Sequence, residues 1–115
     1  MPKTESPPEV EKEKREQLTP LYNVVLLDDD DHTYEYVIEM LQNLFACSAT
    51  DAFRHAVEVD NAGRTIVITC ELPEAEFGRD QIQSYGPDWR MEKSKGSMRA
   101  IVEPAGGKTD PPPKN

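Results

Sequence analysis

A seven-residue apolar run, Leu21-Tyr-Asn-Val-Val-Leu-Leu27, ends against four consecutive aspartates, Asp28–Asp31. The run is rich in β-formers and too short for an ordinary helix, so it reads as a buried strand. Aspartate is poor in strands and good in turns, so the strand must stop where the aspartates begin. Beyond them Val37, Met40, Leu41, Leu44 and Phe45 recur at helical spacing, which predicts a helix from about His32 to Phe45 with one buried face. Four adjacent carboxylates repel one another: two such charges at 4 Å interact by about 4 kcal/mol at an effective dielectric near 20. A turn that collects this repulsion is either a solvated helix start, where acids suit the dipole, or a site that receives positive charge.

The rest of the chain alternates in the same manner. Ser48-Ala-Thr-Asp51 has the spacing of a capping box, with Asp for the usual Glu, and opens a second helix. That helix has Ala49, Ala52, Phe53, Ala56 and Val57 on its inner side and ends in the turn residues Asn61-Ala-Gly63. His55 reads as a solvated helix residue beside Arg54. Thr65–Cys70 is a second strand. Pro73 suits the first turn of a third helix running to about Tyr85, with Glu74 and Glu76 favouring its N-terminus. Trp89–Lys93 and Ser97–Val102 flank Ser-Lys-Gly and predict a terminal hairpin. The order is β-α-α-β-α-β-β: an α+β domain with helices on one face of a small, mainly antiparallel sheet.

Length and charge bound the function. The chain of 115 residues has room for one domain. Residues 1–18 are polar and lack an apolar stripe, and 106–115 are rich in Gly and Pro; both are expected to be flexible, which leaves 19–105 as the folded core. The charges of the two tails cancel, so the whole net charge of −9 belongs to 19–105. Such a surface is unsuited to nucleic acid, which demands clustered Lys and Arg. No apolar run approaches the ~18 residues of a membrane span, and the charged opening does not read as a signal peptide. Cys47 and Cys70 fit no metal spacing and read as reduced core thiols. A cytoplasmic location is expected.

Catalytic signals are thin, and no Ser-His-Asp or Cys-His arrangement is suggested by the sequence context. Gly106-Gly107-Lys108-Thr109 has the end of a P-loop but lacks its earlier glycine. Three cations remain as ligands of the acidic turn. For Ca²⁺, Asp28, Asp30, His32 and Glu39 fall at positions 1, 3, 5 and 12 of an EF-hand loop, but Thr33 stands where glycine is needed. For Mg²⁺, the strand and its aspartates look like the acidic pocket of a phospho-receiver domain, whose alternating βα repeat the two successive helices break. The third is the ammonium group of a peptide.

The segment Val24-Val-Leu-Leu-Asp-Asp-Asp-Asp-His-Thr-Tyr-Glu-Tyr-Val-Ile-Glu-Met-Leu resembles the pattern Val-Val-Leu-Leu-Asn-Asp-Asp-x-Thr-x-x-x-(Phe/Tyr)-Val-x-x-x-Leu of ClpS, the adaptor that delivers N-degron proteins to the Clp ATPase–protease. The likeness continues through Ala52, Val59, Gly63, Glu76, Ile82 and Tyr85 and resumes at Ser97–Ala105. It implies a binding module, not an enzyme, with no cofactor or metal. Its partners would be a Clp-type AAA+ unfoldase and peptides with a free, bulky apolar first residue. It also implies roles for particular residues. The family's Asn-Asp-Asp falls on Asp28, Asp29 and Asp30, its rim Thr on His32 and its pocket Met on Tyr34. Val37 lines the pocket. The Met-x-x-Val-His of the second helix falls on Ala56, Val59 and Asp60, and the last pocket Leu on Met98. Asp28, Asp29 and Asp60 would then hold the α-amino group, since carboxylates accept every hydrogen bond an ammonium donates. The family's docking Glu and Lys fall on Pro73 and Gly78, with Glu74, Glu76 and Arg79 nearby, and residues 1–18 match the extension that such adaptors feed to the ATPase. Without degron binding, the fold would remain as a docking module.

Overall fold

A computed structural model describes residues 19–106. The two tails expected from the sequence, apart from Gly106, lie outside the described residues. Six elements follow one another: β1 (Tyr22–Leu27), α1 (Tyr34–Phe45), α2 (Ala49–Ala62), β2 (Arg64–Cys70), α3 (Leu72–Gln83) and β3 (Ala100–Pro104). β1 is the central strand, antiparallel to β2 on one side and to β3 on the other. This α+β arrangement is the predicted one. It removes the receiver-domain alternative, whose βα repeat requires parallel strands.

The elements form for local reasons. The Thr33 side chain accepts from the Tyr36 N–H, so Thr33 caps α1 and the helix starts at Tyr34, two residues later than expected. Ser48 caps α2 in the same way, accepting from the Asp51 N–H. Gly63 ends α2 with φ 85°, a backbone that glycine adopts without strain. Pro73 sits in the first turn of α3, which stops at Gln83 rather than Tyr85.

The core lies between the sheet and the helices: Val24 and Leu26 of β1 pack with Met40, Leu41, Ala52, Ala56 and Ile82. A β-bulge opposite Val24 and Val25 inserts Val67 into β2, so that Val67 and Ile68 both reach this core. Gly78 is buried against Phe45; an added Cβ would come within 3.2 Å of that ring. On the other face of the sheet, Asn23 accepts from the Thr69 hydroxyl and donates to Glu103, and Arg64 crosses from β2 to pair with Glu103 at 2.7 Å. The pair straps the face that carries fully buried Val25.

Three expectations are corrected. There is no terminal hairpin. Asp88–Ser94 forms two successive turns, Met91 N–H to Asp88 carbonyl and Ser94 N–H to Met91 carbonyl, which use the groups a strand would need. Only the second half of the predicted hairpin becomes a strand, β3, and it pairs with β1; Trp89 stands 81% exposed. His55 is not solvated: it is buried, and its Nδ1 lies 2.8 Å from the Thr65 hydroxyl, which in turn donates to Glu58. Burial, then neighbouring Arg54, lowers the His55 pKa. A neutral ring donating to Thr65 satisfies the site. Ala49 and Phe53 are exposed and are not inner residues of α2; His55 and Val59 complete the buried face with Ala52 and Ala56.

Candidate functional site

The end of β1 and the end of α2 are tied together. The Asp28 N–H donates to the Gly63 carbonyl at 3.0 Å, which brings Asp28 close to Asp60, one turn before the α2 terminus. Between them opens a small cavity of about 50 Å³. Val37, Ala56, Val59 and Met98 give it an apolar floor, all of them buried. Asp28, Asp29, His32, Tyr34 and Asp60 stand around it, with Thr33 as a further lining residue. Nine of the ten site residues singled out in the sequence thus meet around one cavity; Asp30 is exposed and does not line it. A wider depression of about 510 Å³ on the outer flank of α2, lined by Thr50, Phe53, Arg54, Val57 and Glu58, is built by that helix alone, with no second element to enclose it.

The rim carboxylates are not equivalent. Asp29 is engaged: its Oδ1 accepts from the Asp31 N–H at 2.9 Å, and His32 Nδ1 lies 2.8 Å and 3.0 Å from its two oxygens. A carboxylate only accepts, so Nδ1 carries the proton of that contact. On the other side of the ring, Nε2 faces the Gly96 carbonyl at 2.7 Å and the Ser94 hydroxyl at 3.2 Å. Asp31 lies 3.8 Å from Lys93. Among the described residues no basic side chain pairs with Asp28, Asp30 or Asp60. Partial burial raises the Asp28 pKa, and crowding by Asp60, Asp29 and Asp30 adds to it, against a lowering hydrogen bond from the Asp29 backbone. The Tyr34 hydroxyl donates to Asp60 Oδ2 at 2.6 Å, which raises the pKa of the phenol.

Ser94, His32 and Asp29 are thus within hydrogen-bond reach in the order of a hydrolytic triad, an arrangement that the sequence did not suggest. The order is not functional as one. Nε2 is committed to the Gly96 carbonyl, and the buried Ser94 hydroxyl accepts from the Asp88 N–H at 2.8 Å, so no base is free to activate a nucleophile. The arrangement positions His32 and Asp29 instead. Glu39, the last residue of the calcium pattern, projects from α1 to Arg90 at 2.7 Å. Among the described residues no cluster of three His, Cys, Asp or Glu side chains could hold a metal ion.

What sequence reasoning missed is the support beneath the rim. Asp88 is 1% exposed and reaches back 55 residues: Oδ2 accepts from the Thr33 N–H at 2.7 Å and from its hydroxyl at 2.8 Å. Oδ1 accepts from the Arg90 N–H and guanidinium, and Arg90 continues to Glu39. Burial pushes the Asp88 carboxyl up, but these four bonds outweigh it and hold it down at about 2. Asp88 therefore fixes the N-cap of α1 and, through Ser94, the loop that holds His32. The only local hint was a Pro-Asp turn signal at 87–88.

Comparison with known proteins agrees with this fold. The family described as ATP-dependent Clp protease adaptor protein ClpS matches residues 17–88. An ATP-dependent Clp protease adapter protein ClpS of Synechococcus sp. is 33% identical over 73 residues, 63% of this chain and 80% of that protein. The human E3 ubiquitin-protein ligase UBR1 is 32% identical over 82 residues, 70% of this chain but 4% of the ligase. Among solved structures, Agrobacterium tumefaciens ClpS2 bound to L-phenylalaninamide superposes with a TM-score of 0.64 at 26% identity, covering 74% of this chain and 96% of that one. With the family matched over more than half its length, and the strand, turn and helices in place, the chain belongs to the ClpS family of Clp protease adaptors.

Proposed function

We propose that this chain is a non-enzymatic cytoplasmic adaptor that binds the first residue of proteins with a free α-amino group and a bulky apolar side chain, and delivers them to a Clp-type AAA+ ATPase–protease. One observation carries the reading. Two rim carboxylates without a basic partner among the described residues, Asp28 and Asp60, crown a buried apolar floor of Val37, Ala56, Val59 and Met98. An ammonium group on an apolar side chain is the chemistry complementary to that pairing. Asp28 and Asp60 take the ammonium, and Asp29, already bonded to His32, contributes its remaining acceptor capacity. A charge-assisted hydrogen bond contributes about 1.5–3 kcal/mol and a buried Leu or Phe side chain about the same, so two bonds and one side chain approach the ~8 kcal/mol of micromolar binding before ordering costs. The L-phenylalaninamide bound to the Agrobacterium protein is a ligand of this chemical kind.

Delivery rests on the family membership. Gly78 is buried against Phe45, so the family's docking Lys position is not a surface position here. Docking on the unfoldase would use the exposed Glu74 and Glu76 and neighbouring Arg79, with residues 1–18 as the segment fed to the ATPase. The test is a fluorescence-anisotropy titration with two peptides that differ only in acetylation of the first residue. The free peptide is expected to bind at micromolar or weaker affinity and the acetylated one to lose most of it; equal binding, or none by either, rejects the proposal.

A further inference from the structure

The mouth of the cavity is not simply open. Tyr34 reaches across it from α1 and is held at two points of α2: its ring meets Phe53 edge-on at 6.2 Å between centroids, and its hydroxyl donates to Asp60 at 2.6 Å. Residues 53 and 60 lie two helical turns apart on one face of α2, about 10 Å along the axis. Ala56 lies between them, is fully buried, and offers only a methyl group under the span. A long side chain at position 56 would contend with the Tyr34 ring for that space. The small residue and the large one are therefore complementary, and together they leave about 50 Å³. A cavity that accepts a benzene ring is about 150 Å³. The space at this mouth is a third of that.

Resting on the amino-terminus reading above, we propose that Tyr34, latched to Asp60 over Ala56, is the specificity-determining residue of the pocket and selects a first residue with a branched aliphatic side chain, Leu above all, over Phe, Tyr and Trp. The latch is compatible with a bound ammonium. A carboxylate has roughly four acceptor positions, so Asp60 Oδ1 stays available while Oδ2 holds the phenol. The ring therefore remains in place when the peptide enters. A flexible aliphatic chain fits beside it with a rotamer change of Met98, whose thioether adapts readily. A rigid aromatic ring cannot adjust its shape in that way and must displace the Tyr34 ring to enter.

The experiment titrates wild type, Tyr34→Phe and Tyr34→Ala with peptides identical except for a first residue of Leu, Phe or Trp, plus the acetylated Leu peptide. Tyr34 is on the surface, and urea melts check that both variants keep the wild-type fold. Wild type is expected to prefer Leu by about tenfold or more, the scale at which pocket volume discriminates. Tyr34→Ala is expected to abolish the preference by tightening Phe and Trp, and Tyr34→Phe, which frees the ring from Asp60, to reduce it. Wild type that binds free Leu and Phe peptides equally while refusing the acetylated one overturns the selection and leaves the adaptor reading standing. A preference unchanged in either variant overturns the latch. Failure of every free peptide with all three proteins overturns both readings together.

Discussion

Asp28 and Asp88 are the same residue in opposite surroundings. Asp88 is sealed in the protein with four donors on its carboxylate, and its pKa falls to about 2. Asp28 is exposed, is crowded by other carboxylates, and its pKa is raised. By linkage the two act on stability with opposite sign. Asp88 contributes stability that is present above its ordinary value near 3.8 and lost as pH falls toward 2. Asp28, raised in the folded state, takes stability away as it ionises. A satisfied carboxylate is structure. Asp28 is a crowded carboxylate at the cavity rim, and Asp88 a fully bonded one that holds the start of α1.

The comparison can be broken at four points. The largest effect is expected from Asp88→Ala, which leaves the Thr33 N–H and Arg90 without their acceptor in a buried setting: a loss of about 3 kcal/mol in urea unfolding. A loss under about 1 kcal/mol would show that Asp88 is not the hub described. Next is Asp60→Lys, expected to weaken binding of a free-amino-terminus peptide more than about tenfold while the urea midpoint stays put. Asp60 suits this test better than Asp29, whose bond to His32 gives it a structural part as well.

The third point is pH. Titrating from neutral to acid, anisotropy should register peptide loss first, because the Asp28 pKa is raised from its ordinary value while that of Asp88 is lowered. Circular dichroism should follow later, as the Asp88 contribution of about 2 kcal/mol disappears between about 4 and 2. Loss of fold before loss of binding would contradict the assignment of the two aspartates. The smallest effect is expected at Lys93→Ala, which removes a half-exposed contact of 3.8 Å to Asp31: under about 0.5 kcal/mol, with binding unchanged.

The same division runs through what the sequence could reveal. The strand, the acidic turn and the buried faces of the first helices were legible because each rests on residues a few positions apart: β-rich residues before aspartates, Val37 one helical turn from Met40 and Leu41, Ser48 three before Asp51. The position of Asp60 beside Asp28 came from a family resemblance, and the tie that explains it is a backbone bond to Gly63. Illegible were the contacts that join distant stretches. His55 looks solvated until β2 folds back to place Thr65 on it. Residues 89–93 look like a strand until Asp88 turns inward to Thr33 and takes the loop with it. Alternation of side chains carries no record of a buried carboxylate whose partners lie 55 residues upstream.

That distance has a consequence for when the protein becomes competent. β1, almost at the start of the described chain, pairs with β3 at its far end, Tyr22 opposite Pro104. The rim needs Asp88 at Thr33 and Gly96 at His32. Contacts of such sequence separation form late, because the loop entropy must be met before they reward it. During synthesis the first two helices can assemble on their own short-range pattern, but the cavity rim waits until β3 has left the ribosome. A chain that stops short of β3 would hold the helices without the assembled rim.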